Sequence, residues 1–118
     1  MRELDPTTFD EAIAGEPVLV DFWAPWCKPC KALEPTLGEL EARVPVVKLN
    51  VDEHPGISSR HDVLSIPTVM LFAGGVEVSR LVGFRPREHF EKWLEPLLME
   101  FKGGSPPAQT DARETRAS

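Results

Sequence analysis

The only two cysteines of the chain, Cys27 and Cys30, are separated by two residues and follow closely on an apolar run. That run is Val18-Leu19-Val20-Asp21-Phe22, and it leads into Trp23-Ala24-Pro25-Trp26-Cys27-Lys28-Pro29-Cys30-Lys31. Two thiols at this spacing can close a very small disulfide ring. Pro29 lets the second half of the motif enter a helix, because the first helical turn has no use for the N–H that proline lacks. Cys27 is thereby placed at or just before a helix N-terminus. The positive end of the helix dipole and the unpaired N–H groups there favour an anion, which stabilises a thiolate. A stabilised thiolate with a second thiol in reach is the minimum equipment for thiol–disulfide exchange.

Three plainer roles compete: a pair of buried structural thiols, an inert structural disulfide, or half of a metal site. Free cysteine is among the most buried residue types. The flanks here are tryptophan, proline and lysine, which is poor core composition. A structural zinc site wants about four Cys or His ligands. The remaining candidates, His54, His61 and His89, do not fall at metal-ligand spacing with the pair. The strand–helix setting of the motif favours redox chemistry, with no metal.

The 118 residues suffice for one domain, and a hydrophobic fraction of 42% suffices for one sizeable core. A net charge of −6 without any basic run argues against nucleic acid as a partner. Met1-Arg2-Glu3-Leu4-Asp5 has acids where a signal peptide would have its apolar stretch. No segment approaches the roughly 20 apolar residues of a membrane span. These features point to a cytoplasmic protein without membrane contact. In that compartment a close cysteine pair is more often catalytic than structural.

Taken in order, Arg2 to Leu4 reads as a short edge strand, and Thr7 as a helix N-cap with Asp10 three residues on. Gly15-Glu16-Pro17 ends that helix. Val18 to Trp23 is apolar on both faces except at Asp21, as a central, doubly covered strand would be. A helix is expected from Cys27 to about Arg43, with Leu33, Leu37, Leu40 and Val44 on its apolar side, a kink at Pro35 and a stop at Pro45. Val46 to Val51 is the next strand, and Asp52 to His61 holds turn residues and one short helix. Thr68 to Phe72 and Val76 to Val82 form a hairpin about Ala73-Gly74-Gly75. Pro86 opens a last helix whose apolar side is Phe90, Trp93, Leu94, Leu97, Leu98 and Phe101. Residues 1–102 then make one domain, and the polar stretch 103–118 is expected to be a disordered tail. A parallel, right-handed βαβ unit followed by an antiparallel hairpin gives an α/β protein, a small mixed sheet flanked by helices on both faces. The cysteines lie at the C-terminal end of its central strand, where open α/β sheets place their sites.

With those elements placed, the chain closely resembles the thioredoxin family over roughly residues 5 to 101. Phe22-Trp23-Ala24 leading into Trp26-Cys27-x-Pro29-Cys30-Lys31 resembles the family signature, as do Lys48-Leu49-Asn50-Val51-Asp52, Ile66-Pro67-Thr68, the Gly74-Gly75 turn and Val82-Gly83. The resemblance implies the thioredoxin fold and a thiol–disulfide oxidoreductase that reduces protein disulfides. It implies no bound cofactor, only a redox-active Cys27–Cys30 disulfide, re-reduced by a reductase fed from NADPH. Cys27 is expected to attack the substrate and Cys30 to resolve the mixed disulfide. By resemblance Asp21 is the buried acid that moves protons for the inner cysteine, and Lys48 is the lysine paired with it. Burial in an apolar strand should raise the pKa of Asp21. Trp26, Ile66, Pro67 and Gly83 are expected to form the apolar rim that docks substrate, with a cis bond before Pro67. Trp23 is expected to pack below the site. Expected partners are the reductase and disulfide-containing proteins; nothing suggests an oligomer.

Lys28 stands where the family usually has glycine. A cation beside Cys27 favours the thiolate, which would make the disulfide somewhat more oxidising. His61 stands where an aromatic is common. Alternatives to the reductase are an oxidant or isomerase of the same fold, and a non-catalytic binding module.

Overall fold

The computed structural model describes residues 1–102. The expectation of a tail at 103–118 lies outside them.

Five strands and four helices follow one another in the order β1 (Arg2–Glu3), α1 (Phe9–Ile13), β2 (Val18–Trp23), α2 (Lys28–Leu40), β3 (Val46–Asn50), α3 (Pro55–Arg60), β4 (Thr68–Ala73), β5 (Val76–Val82) and α4 (Arg87–Lys102). They build one mixed sheet of order β1-β3-β2-β4-β5. Strand β2 is central. It pairs in parallel with β3, Asp21 opposite Lys48, and antiparallel with β4, Asp21 opposite Val69. The alternation of side chains along β2 feeds two separate cores. Val18, Val20 and Phe22 pack with Phe9 and Ile13 of α1 and Ile57 of α3. Leu19 packs on the other face with Leu33, Leu37 and Leu40 of α2 and Phe90 and Leu94 of α4. A strand buried on both faces favours apolar residues at every position, which is why β2 is apolar at all of its positions but Asp21.

The turn between β4 and β5 uses Gly74 and Gly75 at φ +61° and +82°, the left-handed pair that a tight hairpin requires. Their N–H groups donate to the carbonyls of Gly15 and Ile13, tying the hairpin tip to the end of α1 and the loop before β2. A bulge in β5 follows, as Leu71 pairs with Ser79 but Phe72 with Glu77. The ring of His61 packs against Phe9 and Phe72, with centroids 5.2 and 5.3 Å apart, so it fills an aromatic position. Burial is the first cause that pulls its pKa down, with Arg60 next.

Strands β1, β3 and β4 end, and α4 begins, one residue from where expected, and two helix ends differ for a physical reason. The α1 N-cap is Thr8 rather than Thr7, and its side chain makes no cap bond. Asp5 takes over that role, its carboxylate accepting the N–H groups of Thr7 and Thr8 at 2.8 and 3.1 Å. Helix α2 ends at Leu40 rather than near Arg43. Glu41 to Val44 form turns, because a residue before proline is disfavoured in helical conformation and Val44 must reach the core ahead of Pro45. Proline occurs inside α2 at Pro35 and inside α4 at Pro96.

Leu37 is fully buried between α2 and the sheet. Leu37→Ala should destabilise the protein by about 3 kcal/mol, read as a lower urea midpoint at unchanged slope.

Candidate active site

Strand β2 stops at Trp23, and the chain turns through Ala24, Pro25 and Trp26 to place Cys27 at the N-cap of α2. The backbone of Cys27 is extended (φ −86°, ψ 104°), and its Sγ accepts the N–H of Cys30 at 3.2 Å. A disulfide joins Cys27 to Cys30 across a Cα–Cα distance of 5.3 Å. Both cysteines are buried, at 3% and 2% exposure, so Cys27 is no more open than Cys30. Its sulfur is turned inward to cap the helix, and the pair packs with Ala24 against Trp23, Val51 and Ile66.

The Ile66-Pro67 peptide bond is cis, and Pro67 is buried. Gly83, at φ +89°, donates its N–H to the Pro67 carbonyl at 2.7 Å. Trp26 is 66% exposed, and its indole Nε1 donates to Asp52 at 2.7 Å. Trp26, Val51, Ile66 and Leu64 line an open groove of about 410 Å³, with Ser58 and Val63 behind. Lys28 and Lys31 are exposed on the first turn of α2.

Asp21 is 1% exposed, and neither carboxylate oxygen has a hydrogen-bond partner among the described residues. Burial pushes its pKa up to about 7; Lys48 pulls the other way, while Glu34 and Glu3 add to the rise. Lys48 does not form the expected ion pair with Asp21. Its ammonium bonds the Glu34 carboxylate at 2.9 Å and sits 3.9 Å from the centre of the Trp23 ring. The reason is competition. Glu34 reaches across from α2 and is partly in solvent, so an ion pair with it costs less desolvation than one with the buried Asp21. Trp23 is held in turn by Glu3, which accepts its Nε1–H at 3.2 Å.

The site therefore joins a helix-capping sulfur, a second sulfur in bonding contact with it, and a proton-holding acid with no partner of its own. That defines a protein of thiol–disulfide exchange. The family model described as "Thioredoxin" matches residues 1–96. Thioredoxin of Alicyclobacillus acidocaldarius subsp. acidocaldarius is 48% identical over 100 residues, covering 80% of this chain and 95% of that protein. Thioredoxin 1 of a Nostoc species is 40% identical over 102 residues, covering 81% and 95%, and thioredoxin of Staphylococcus aureus is 42% identical over 94 residues, covering 76% and 90%. The chain belongs to the thioredoxin family and is a protein disulfide reductase whose redox group is its own disulfide. Among the described residues, no helix is long and apolar enough to cross a membrane.

Sequence reasoning missed Glu34, Asp52 and Leu64. The signal for Glu34 is its i, i+4 spacing from Cys30, which turns it toward the same side. Asp52 carried no mark of its bond to Trp26. Leu64 is 94% exposed beside the groove, and an isolated apolar residue in a loop gives no such warning.

Between pH 4 and 7 folded Asp21 keeps a proton that the unfolded chain has lost, so stability falls as pH rises through that window. Relative to Asp21→Asn, which cannot titrate, the wild-type protein should lose about 4 kcal/mol between pH 4 and pH 8. Urea unfolding of both proteins at the two pH values measures this. A difference independent of pH would mean that Asp21 ionises normally.

Proposed function

We propose that Cys27 is the nucleophile toward protein disulfides and Cys30 the resolving thiol. The observation that carries this reading is the bond from the Cys30 N–H to the Cys27 Sγ at a helix N-terminus. The same donor and dipole stabilise a Cys27 thiolate once the disulfide is reduced. The thiolate attacks one sulfur of a substrate disulfide, forming a mixed disulfide and expelling a substrate thiolate. Cys30 then gives up its proton and attacks the Cys27 sulfur. That step forms the Cys27–Cys30 disulfide and releases the second substrate thiolate, so two electrons pass to the substrate. Asp21 is the base that takes the Cys30 proton, and Lys48 modulates it through its charge. Closure is rapid because both sulfurs are already held together.

Trp26, Ile66, Pro67 and Gly83 form the docking rim. The exposure of Trp26 supports this, as does the lack of a side chain at Gly83, which lets a substrate backbone approach. An extended substrate segment would add by backbone pairing beside Ile66. Lys28 at the first helical position favours the thiolate and tunes the couple modestly, being exposed and screened. The chain works as a cytoplasmic monomer, its domain spanning residues 1–102, re-reduced by a thioredoxin reductase-like protein that draws on NADPH. Sequence similarity to thioredoxins supports this electron source.

Cys30→Ser should accumulate a mixed disulfide with a protein substrate on non-reducing gels, and Cys27→Ser should accumulate none. Trapping through Cys27→Ser alone would reverse the two roles.

A further inference from the structure

Asp21 faces charged groups from three elements: Lys48 of β3, Glu34 of α2 and Glu3 of β1. From β4 the residue paired with it is Val69. Lys48 is the one cation among these groups, and the register of β2 with β3 sets it directly opposite Asp21. An ammonium so placed would ordinarily close on the carboxylate. It closes on Glu34 instead, at 2.9 Å, and rests on the Trp23 ring at 3.9 Å. Both Asp21 oxygens are left without a hydrogen bond from any described residue. Glu34 lies four residues after Cys30 in α2, so the residue that captures the lysine rides on the helix that carries the resolving thiol.

We infer that Glu34 is a positioning residue for the Asp21 proton: it holds the Lys48 ammonium on the helix side, so that Asp21 remains an unpaired carboxyl instead of half of an ion pair. The distinction matters for the resolving step. A carboxylate paired with lysine is a weak base, because its charge is already satisfied. An unpaired carboxylate in an apolar setting takes a proton readily near neutral pH and returns it when the disulfide is reduced again. Glu34 acts on Asp21 in two ways, by its own negative charge and by keeping Lys48 occupied, and both act in the same direction.

The inference rests on the proposed role of Asp21 as base only for its consequence in turnover; its geometric part stands alone. The test is a carbon-detected NMR titration of the Asp21 carboxyl in the oxidised protein, for wild type, Glu34→Gln, Glu34→Ala and Lys48→Met. Glu34→Ala should lower the Asp21 midpoint by about one pH unit, a tenfold change in its proton affinity, as Lys48 turns to it. Glu34→Gln, which loses the charge but keeps an oxygen for Lys48, should lower it less. Lys48→Met should raise it, and in that background Glu34→Ala should have less than about half its effect. An unmoved midpoint in Glu34→Ala would overturn the inference. So would an equal effect with and without Lys48, which would leave only the field of Glu34. The pH profile of mixed-disulfide resolution separates the two levels. If the midpoint moves while the profile stays, positioning by Glu34 stands and the role of Asp21 as base fails.

Discussion

Burial of β2 on both faces is the constraint from which the rest of the molecule follows. A strand covered by α1 and α3 on one side and by α2 and α4 on the other must be apolar throughout. Its partners must also satisfy every backbone group along it, β3 in parallel and β4 antiparallel. Such a strand is rigid, and whatever follows its last residue is placed rigidly too. Here that is the N-terminus of α2, and the disulfide inherits the precision of the sheet.

Against that background Asp21 is a local violation. A carboxylate in a doubly covered strand, with no hydrogen bond to either oxygen, opposes the packing around it. The strand tolerates it because burial raises its pKa and the group can remain protonated. The polar cluster of Glu3, Trp23, Lys48 and Glu34 surrounds it without quenching it.

The sequence was most legible where one physical rule acted alone. The apolar run at β2, the glycine pair at the hairpin and the Leu33, Leu37 and Leu40 stripe each have one structural solution. Legibility failed where side chains compete. Thr7, Thr8 and Asp5 all had credentials for the start of α1, and the choice depended on which oxygen reached two N–H groups at once. Lys48 had two carboxylates to choose between, and only the relative burial of Asp21 and Glu34 decides it. The cysteine pair announced its chemistry from spacing and flanks. The bond from Trp26 to Asp52 and the exposure of Leu64 depend on loop paths that no local pattern encodes.

The hydrogen bonds from the Gly74 and Gly75 amides to the loop before β2 have a wider consequence. They lie at the end of the sheet where β2, β3 and β5 begin and β4 finishes, the end remote from the cysteines. The parallel and antiparallel halves are thus sewn together at one pole, while the opposite pole is made of loops around Trp26, Leu64, Ile66 and Gly83. Inheritance can act on the two poles separately. Substitutions among the loops leave the seam untouched, so the scaffold keeps its register while that pole varies. The fold and the surface around the cysteines can therefore change independently of each other.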